Sequence, residues 1–505
     1  MSLNYNFIWL LCYLLVLVGL AGYGFHRLSI VYLYWKNRNN KPQPKARFQE
    51  LPVVTVQLPM FNEKFVVDRL LESVAALDYP QDKLEIQILD DSTDDTTEQC
   101  YRKVEELKSR GFDAVCIHRT DRTGFKAGAL EAATKVAKGE FLLILDADFV
   151  PEPDLLQKTI HFFTDENVGL VQTRWGHINR EYNLLTRIQG MYRDGHFAME
   201  QTARNRSGRF FTFNGTAGIW RKCVIGDAGG WSHDTLTEDM DLSYRVQLRG
   251  WRFIYLNDVV TPAELPVDMD GFKSQQHRWT KGSIQVCQKI LLDIWRSNAP
   301  LKAKVEATTH LTCNYSYLLL ALLCFLVYPI CTQRIPENET VFMWFVNVAL
   351  FFMTSVAVCI FYMSAQIVVR PKSWWKELPY LPLLLTLSVG MAVNNAKAVL
   401  EAIFGHQSAF VRTPKYGVDR KEDRRHVSQL KRNGYRAIKS VVIPVLEIAC
   451  GTFFLNLIII MIRQGHYLSP ILMIPFLGFY YTGFCSLGRM ISNLLPAKQT
   501  AKAKN

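Results

Sequence analysis

Long uncharged stretches constrain this chain most, because each can cross a lipid bilayer as a helix. Five are predicted as membrane spans: residues 2–25, 311–333, 340–369, 440–462 and 467–488. A helix needs about 20 apolar residues to cross the hydrocarbon core. The first stretch lacks a small-residue cleavage site and is predicted to be a retained anchor rather than a signal peptide. The sequence therefore predicts an integral membrane protein embedded in a lipid bilayer.

Basic residues beside these stretches predict the topology. Residues 36–47 carry five Lys or Arg and no acid, and residues 412–439 carry ten against three acids. Positive loops face the cytosol, so both segments are predicted to be cytosolic. If residues 378–404 were counted as a span, the basic segment 412–439 would lie on the side of the membrane opposite the cytosol. That stretch also contains Asn394, Asn395, Lys397 and Glu401, so it is interpreted as an interfacial helix. The net charge of +12 is attributed to topology and anionic lipid rather than to nucleic-acid binding.

Between the first and second spans the pattern changes to short strands alternating with helices. Predicted buried strands cover residues 52–58, 84–89, 114–118 and 141–145, and helical segments separate them. This alternation predicts a parallel, doubly wound α/β sheet. Residues 210–218 predict an aromatic strand that breaks into a glycine-rich turn, suited to close approach of a ligand. The eleven cysteines are scattered without a Cys-x-x-Cys pair, which argues against a zinc module or a disulfide framework.

Two carboxylates follow the most apolar of these strands. Asp146 and Asp148 are two residues apart, so their side chains lie on one face of an extended backbone. The carboxyl ends of parallel strands are where open α/β sheets bind ligands. A divalent metal that bridges a diphosphate would relieve the repulsion between the two acids. The alternative is a pair of solvated loop aspartates.

Four acidic and aromatic motifs occur in a fixed order, and together they resemble one family. They are Asp90-Asp91, Asp146-x-Asp148, Thr237-Glu238-Asp239 and Gln275-x-x-Arg278-Trp279. This order is similar to that of the processive family 2 glycosyltransferases of the cellulose synthase superfamily. Finer matches, such as residues 89–94, 124–130 and 213–218, resemble the cellulose synthase-like A and C branches, which are glucomannan (mannan) synthases and xyloglucan-backbone glucan synthases.

The resemblance implies a role for each motif residue. Asp239 would be the catalytic base. Asp146 and Asp148 would bind Mg²⁺ or Mn²⁺ and support the donor. Further donor contacts would come from Asp90, Asp91, Lys126 and Arg278. Acceptor contacts would come from Gln275, Trp279 and Glu238. Residues Phe410, Thr413 and Lys415 are similar to a mobile gating loop, although Arg412 stands where that loop has Val.

Each implied role has a structural alternative. Asp90 and Asp91 also suit a turn, and the acids around Asp239 also suit a helix N-terminus. Trp279 could instead anchor the membrane interface. Glu447, inside a predicted span, could line a polar channel or could reach the cytosolic interface.

The resemblance implies a GT-A-type (Rossmann-like) α/β domain joined to an α-helical transmembrane bundle. The expected division is 1–35 (membrane helix), 36–270 (cytosolic catalytic domain), 271–310 (acceptor motif and interfacial helices), 311–370 (two membrane helices), 371–439 (interfacial helix and gating-like loop), 440–492 (two membrane helices) and 493–505 (cytosolic tail).

The implied activity is inverting, processive synthesis of a β-1,4-linked hexose polymer at the cytosolic face of the plasma or Golgi membrane. The partners would be a nucleotide sugar, GDP-mannose before UDP-glucose, and the growing polysaccharide. The alternatives are a glycolipid-forming transferase, a non-catalytic export subunit and, more remotely, a transporter.

Overall fold

A seven-stranded sheet forms the centre of the α/β part of the chain. The structure is a computed structural model that describes residues 2–332, 352–406, 413, 415–418, 441–464 and 470–494. Its strands are β1 (Val54–Met60), β2 (Leu84–Asp90), β3 (Asp113–His118), β4 (Phe141–Ile144), β5 (Val168–His177), β6 (Gly218–Arg221) and β7 (Arg252–Ala263). They lie in the order β3-β2-β1-β4-β6-β5-β7.

The sheet is mixed, so the prediction of a wholly parallel sheet is wrong. β1 pairs in parallel with β2 and β4, but β6 runs antiparallel to both β4 and β5. The predicted aromatic strand is also wrong, since residues 209–214 are irregular and β6 begins at Gly218. Phe211 and Phe213 are nevertheless buried, because their rings fill the core beside β6 while their backbone stays outside the ladder.

The strand β4 is buried on both faces, as the sequence predicts. Phe141 and Leu143 belong to the apolar cluster on one side of the sheet, and Leu142 and Ile144 to the cluster on the other. The sequence of a strand that is buried on both faces is a continuous apolar run, whereas a half-buried strand alternates apolar and polar residues. Its carboxyl end therefore emerges between two packed layers, beside the ends of β1 and β2.

Helices cover the sheet and connect its strands. They are α2 (Val67–Ala75), α3 (Thr96–Ser109), α4 (Phe125–Val136), α5 (Leu155–Thr159), α6 (Leu184–Asp194), α7 (Thr202–Arg206), α8 (Lys222–Asp227) and α9 (Glu238–Leu248). Short 3₁₀ turns occupy Gln81–Lys83 and Ile160–Thr164, and a π-helical turn, Gly195–Gln201, joins α6 to α7.

The remaining helices form the apolar part of the chain. They are α1 (Ser2–Asn37), α10 (Met269–Arg296), α11 (Leu301–Thr312), α12 (Tyr315–Thr332), α13 (Ala357–Val369), α14 (Leu381–Gly390), α15 (Ala392–Ile403), α16 (Val442–Arg463) and α17 (Pro470–Leu494). A π-helical turn, Phe352–Val356, precedes α13, and a 3₁₀ turn, Trp374–Tyr380, precedes α14.

Among the described residues, two helices are long and apolar enough to cross a membrane alone, and up to four segments can cross if each bent pair is one span. The single helices are Ile8–Asn37 and Val442–Arg463. The bent pairs are Leu301–Thr312 with Tyr315–Pro329 (52°) and Trp374–Gly390 with Ala392–Ile403 (41°). The predicted span 340–369 lies partly outside the described residues. Whether α14 and α15 lie at the interface stays a prediction.

The first helix continues well beyond the predicted span of residues 2–25. The helix continues past His26 and Arg27, and each of these side chains has a carboxylate partner, on α11 and on the π-helical turn respectively. His26 Nε2 lies 3.0 Å from Glu306 Oε1, and Arg27 pairs with Glu200. The Tyr23 hydroxyl donates to the Thr312 carbonyl at 2.9 Å. A polar segment of α1 is thereby fixed to α11 and to the π-helical turn.

Glu447 has a structural role that neither sequence interpretation anticipated. Its Oε2 accepts from Lys273 Nζ at 2.5 Å, and both side chains are almost completely buried. Lys273 Nζ also donates to Ser486 Oγ at 2.9 Å. This buried ion pair joins α10 to α16 and α17, and α10 carries the predicted acceptor motif.

Candidate active site

A cleft of about 200 Å³ opens at the carboxyl edge of the sheet, where Asp146 follows β4. The Asp146 amide donates to Thr216 Oγ1 at 2.8 Å, and its Oδ1 accepts from Lys126 Nζ at 2.5 Å. Lys126, at the start of α4, also donates to the Gly215 carbonyl at 2.8 Å. Burial acts to lower the pKa of Lys126, but the carboxylates of Asp146 and Glu238 outweigh it and raise that pKa. Lys126 is therefore a cation held in the cleft.

Asp148 lies deeper and is almost fully buried. Its Oδ2 accepts from Lys415 Nζ at 2.5 Å and from the Glu264 amide at 3.2 Å. Its Oδ1 is buried and accepts no hydrogen bond from any described residue. No group of three or more His, Cys, Asp or Glu side chains arranged to hold a metal occurs in the described ranges. Two carboxylates with one unused buried oxygen nevertheless fit a hard divalent cation that completes its ligands with phosphate and water.

Glu238 and Asp239 form the first turn of α9 and face the same cleft. The N-cap residue Thr237 makes no capping hydrogen bond with its side chain. The Met240 amide donates to Asp239 Oδ1 at 2.8 Å. Burial, followed by the charge of Glu238, raises the pKa of Asp239 to about 7. Burial also raises the pKa of Glu238. A carboxyl that titrates near neutral pH is suited to take a proton.

Gly215 lets the backbone pass beside this carboxylate. Its φ is +80°, and a Cβ there would lie 3.1 Å from Asp239 Oδ2 and 3.6 Å from Lys126 Nζ. The glycine-rich turn that the sequence indicated therefore packs against the predicted base and the predicted donor lysine.

The acceptor motif lies along α10, and Gln275, Arg278 and Trp279 all line the cleft. Arg278 Nη2 donates to Thr413 Oγ1 at 3.2 Å. Gln275 Oε1 accepts from Arg193 Nη2 at 2.7 Å, and the Arg193 guanidinium lies 4.1 Å from the Trp279 ring centroid. Burial lowers the pKa of Arg193 to about 9.

The two adjacent aspartates at the end of β2 have different environments. Asp91 lines the cleft and pairs with Arg119, whose Nη2 lies 2.6 Å from Asp91 Oδ2. Asp90 is fully buried and does not line the cleft. Its carboxylate accepts from the Ser92 amide and from Thr97 Oγ1, and it lies 2.7 Å from His118 Nδ1. Local groups thus occupy both oxygens of Asp90, and its contact with the donor stays a prediction.

The described part of the gating-like loop lies against the cleft. Thr413 and Lys415 line it, whereas Phe410 lies outside the described residues. The backbone amides of Tyr416, Gly417 and Val418 all donate to the Glu264 carboxylate, at 3.0, 3.0 and 3.2 Å. Sequence patterns did not point to Glu264, because this residue lies just after β7 and belongs to no recognisable motif.

A second cavity of about 740 Å³ adjoins the cleft and extends among the apolar helices. Six residues line both spaces: Trp175, Arg193, Asn214, Thr237, Asp239 and Trp279. Helices α1, α12 and α13 contribute Tyr23, Tyr317 and Val358 to its wall. The predicted base and the predicted acceptor tryptophan therefore stand where the two spaces meet.

Comparison with known proteins agrees with this arrangement. Residues 52–282 match the family model described as "Glycosyltransferase like family 2", and residues 218–464 match the one described as "Cellulose synthase". The chain is 42% identical over 286 residues to "Glucomannan 4-beta-mannosyltransferase 2" of Arabidopsis thaliana, covering 54% of this chain and 53% of that protein. It is 40% identical over 277 residues to "Glucomannan 4-beta-mannosyltransferase 1" of Oryza sativa subsp. japonica, with the same coverage. The chain thus spans about half the length of these curated relatives.

The fold also has a solved counterpart. The structure titled "Mannosyltransferase PcManGT from Pyrobaculum calidifontis in complex with GDP-Man and Mn2+" superposes with a TM-score of 0.54 at 19% identity, covering 78% of this chain and all of that one. At this identity the likeness supports the GT-A-type fold alone. The two family models together span residues 52–464, and with the two curated relatives they make the chain similar to the family 2 glycosyltransferases and the cellulose synthases.

Proposed function

We propose that this protein is a membrane-embedded, inverting and processive hexosyltransferase that makes a β-1,4-linked mannan or glucomannan from GDP-mannose. One observation carries the proposal. Asp239, whose pKa is raised to about 7, lies where a cleft containing Asp146 and Asp148 meets the larger cavity among the apolar helices. A donor and a growing chain can thus approach one base from two sides. The names of the curated relatives support mannose over glucose.

In the proposed reaction Asp239 is the general base. It accepts the proton of the acceptor hydroxyl as that oxygen attacks the anomeric carbon, and the nucleoside diphosphate leaves from the opposite face. A single displacement inverts the anomeric centre, so an α-linked donor gives a β-linked product. Burial keeps the pKa of Asp239 high enough for it to act as a base near neutral pH.

The remaining groups of the cleft bind and orient the donor. Lys126 and Arg278 are partly buried cations that can bind the diphosphate, and an arginine can do so with two parallel hydrogen bonds. Asp146 and Asp148 would hold Mg²⁺ or Mn²⁺, which offsets negative charge on the leaving diphosphate. The Lys415 ammonium neutralises Asp148 in the present arrangement.

The proposed location follows from the apolar helices and the basic segments. The α/β part would lie in the cytosol, and the plasma membrane or the Golgi membrane would hold the helices. The cavity of about 740 Å³ would receive the growing polysaccharide.

The test uses the purified full-length protein in detergent with Mn²⁺ or Mg²⁺. Labelled GDP-mannose and UDP-glucose are supplied separately, and any polymer is digested with linkage-specific glycanases. Asp239→Asn should reduce transfer by about 10²–10⁴-fold while nucleotide affinity is kept. Asp234→Asn is the matched control, because Asp234 is a largely exposed carboxylate just before α9 that does not line the cleft.

Each outcome leads to a different conclusion. A β-1,4-mannan from GDP-mannose that Asp239→Asn abolishes supports the proposal. Polymer from UDP-glucose alone moves the protein to the glucan-synthesising branch. Full activity in Asp239→Asn would remove the assigned base, and the absence of polymer from either donor would contradict the proposed activity.

A further inference from the structure

Arg193 stands out among the buried arginines near the site because no carboxylate in the described part of the chain forms an ion pair with it. Its exposed fraction is 7%. Two arginines of the same region, Arg180 and Arg204, are paired with Asp194 and Glu306 respectively. For Arg193 the described residues provide no ion pair, and its guanidinium donates instead to the neutral Gln275 side chain, at 2.7 Å. A buried cation without a counter-ion is costly unless its donors are satisfied.

Aromatic rings surround this guanidinium. Its carbon lies 4.1 Å from the Trp279 ring centroid and 5.7 Å from that of Trp175. Trp175 in turn stacks on Phe197, with centroids 4.7 Å apart and planes 28° from parallel. Arg193 thereby holds two indole rings in fixed positions at the junction of the cleft and the larger cavity.

The position of Arg193 indicates what it can bind. A guanidinium carries five N–H donors, so most remain for a ligand. Arg278 lines the cleft and not the larger cavity, whereas Arg193 lines both. Arg278 is thus on the donor side, and Arg193 is further toward the cavity. Flat indole faces with hydrogen-bond donors between them suit a neutral molecule that has apolar faces and several hydroxyl acceptors.

We propose that Arg193, with Trp175 and Trp279, forms a binding site for the terminal sugar of the acceptor chain. Arg193 donates to hydroxyl oxygens of that sugar and keeps Trp279 in place as its stacking platform. The proposal deepens the proposed function and rests on it, since it assigns new contacts for the acceptor of that reaction. It makes Arg193 a residue for acceptor affinity rather than for donor binding.

The test measures binding rather than turnover. The full-length protein in detergent, with saturating GDP and Mn²⁺, is titrated with β-1,4-mannotetraose and with cellotetraose, and intrinsic tryptophan fluorescence is followed. In Arg193→Met the dissociation constant of the oligosaccharide should rise about ten- to a hundredfold, as expected for loss of hydrogen bonds from a charged donor. The GDP dissociation constant should change less than about twofold, within the scatter expected of single-site effects.

Two further variants keep the test decisive. Arg193→Lys retains the charge but loses the planar fork and its stacking, so its oligosaccharide affinity should lie between those of the wild type and Arg193→Met. Arg122→Met is the matched control, because Arg122 also stacks on an aromatic ring, Phe61, but lines the donor cleft and not the larger cavity. Its oligosaccharide affinity should stay at the wild-type value.

Different results would overturn the proposed sugar-binding site and the proposed transfer reaction. Unchanged oligosaccharide affinity in Arg193→Met, or a parallel loss of GDP binding and thermal stability in both Arg193 variants, would show a merely structural role. Failure of the wild type to bind either oligosaccharide would also overturn it. Wild-type oligosaccharide binding without sugar transfer would count against the proposed function and would leave the binding site standing.

Discussion

The carboxylate of Asp239 combines two conditions that a catalytic base needs. It lies at the N-terminus of α9, where Met240 donates its amide, and it is partly buried beside Glu238. The amide hydrogen bond stabilises the charged form, whereas burial and the neighbouring acid favour the neutral form. The second pair of effects dominates, so the group titrates close to physiological pH.

The pH dependence of transfer follows from this raised pKa. A general base acts in its deprotonated form, so the rate at saturating donor should rise as the pH increases through about 7 and level off above it. The measurement is initial transfer rate from about pH 5.5 to 8.5, at constant ionic strength. In Asp239→Asn the residual transfer rate should not rise with pH over this range. An unchanged pH profile in that variant would assign the rise to another group.

Replacing Gly215 with alanine should separate backbone strain from crowding at the base. Gly215 and Gly250 both have positive φ, +80° and +94°, but a Cβ at Gly250 would meet nothing within 4 Å. Each Ala variant should lose about 1–2 kcal/mol of unfolding free energy. Gly215→Ala alone should lose transfer activity, by about ten- to a hundredfold, because the methyl group displaces Asp239.

Thermal or denaturant unfolding and transfer rates are compared for the two glycine variants. Equal activity in both would show that the contact between Gly215 and Asp239 does not matter for the reaction.

The sequence motifs pointed to candidate site residues that lie within short local patterns. They missed residues that approach the cleft only in the folded protein. Asp146, Asp239 and Gln275 lie in recognisable local patterns, and all three line the cleft. Arg193 and Glu264 lie outside these motifs and occupy ordinary helix-end and loop positions. Only the mixed sheet and the path of α10 bring them to the site.

At the level of elements, α10 is the helix that joins the two parts of the molecule. It carries Gln275, Arg278 and Trp279 on the side of the cleft and Lys273 on the side of α16. The Lys273–Glu447 pair therefore fixes the position of α10 from the side opposite the substrate. The sequence flagged Glu447 as unusual within a span, but its partner, 174 residues away, could not be inferred from local pattern.

A double-mutant cycle should measure the strength of this pair. Lys273→Met or Glu447→Leu alone should each cost about 3–5 kcal/mol, because either leaves a buried charge without its partner. The double variant should cost clearly less than the sum of the two. Unfolding in detergent gives the free energies. Simple additivity would mean that the two charges do not interact.

The limits of local sequence pattern also explain why the prediction of a wholly parallel sheet was wrong. The alternation of strands and helices correctly predicted the parallel pairing of β1 with β2 and β4. The antiparallel β6 has only four residues and follows an irregular aromatic segment. The direction of β6 depends on how the preceding aromatic segment crosses the core. The hydrophobic pattern of the sequence does not predict that path.

At the scale of the whole molecule, the cleft and the larger cavity share six lining residues, and blocking the larger cavity should shorten the product. Val358→Trp places a large side chain into the cavity wall. Donor binding should be unchanged, whereas total polymer and mean chain length should fall several-fold, with transfer to short acceptors retained, since the donor contacts are untouched. Product size is measured by gel filtration or mass spectrometry.

Val445→Trp provides the matched control for that substitution. Val445 is half exposed on α16 and does not line the cavity, so the same change of residue should leave the product length unaltered. Equally shortened products in both variants would point to a general disturbance of the helices instead of a blocked route.

Helix α1 forms part of the wall of the larger cavity and is attached there to α11 and to the π-helical turn. Tyr23, His26 and Arg27 line the larger cavity, and their partners Thr312, Glu306 and Glu200 belong to α11 and the π-helical turn. A bilayer whose thickness does not match a helix makes that helix tilt. Tilting α1 would therefore move one wall of the larger cavity, and we expect oligosaccharide binding to depend on the thickness of the surrounding bilayer.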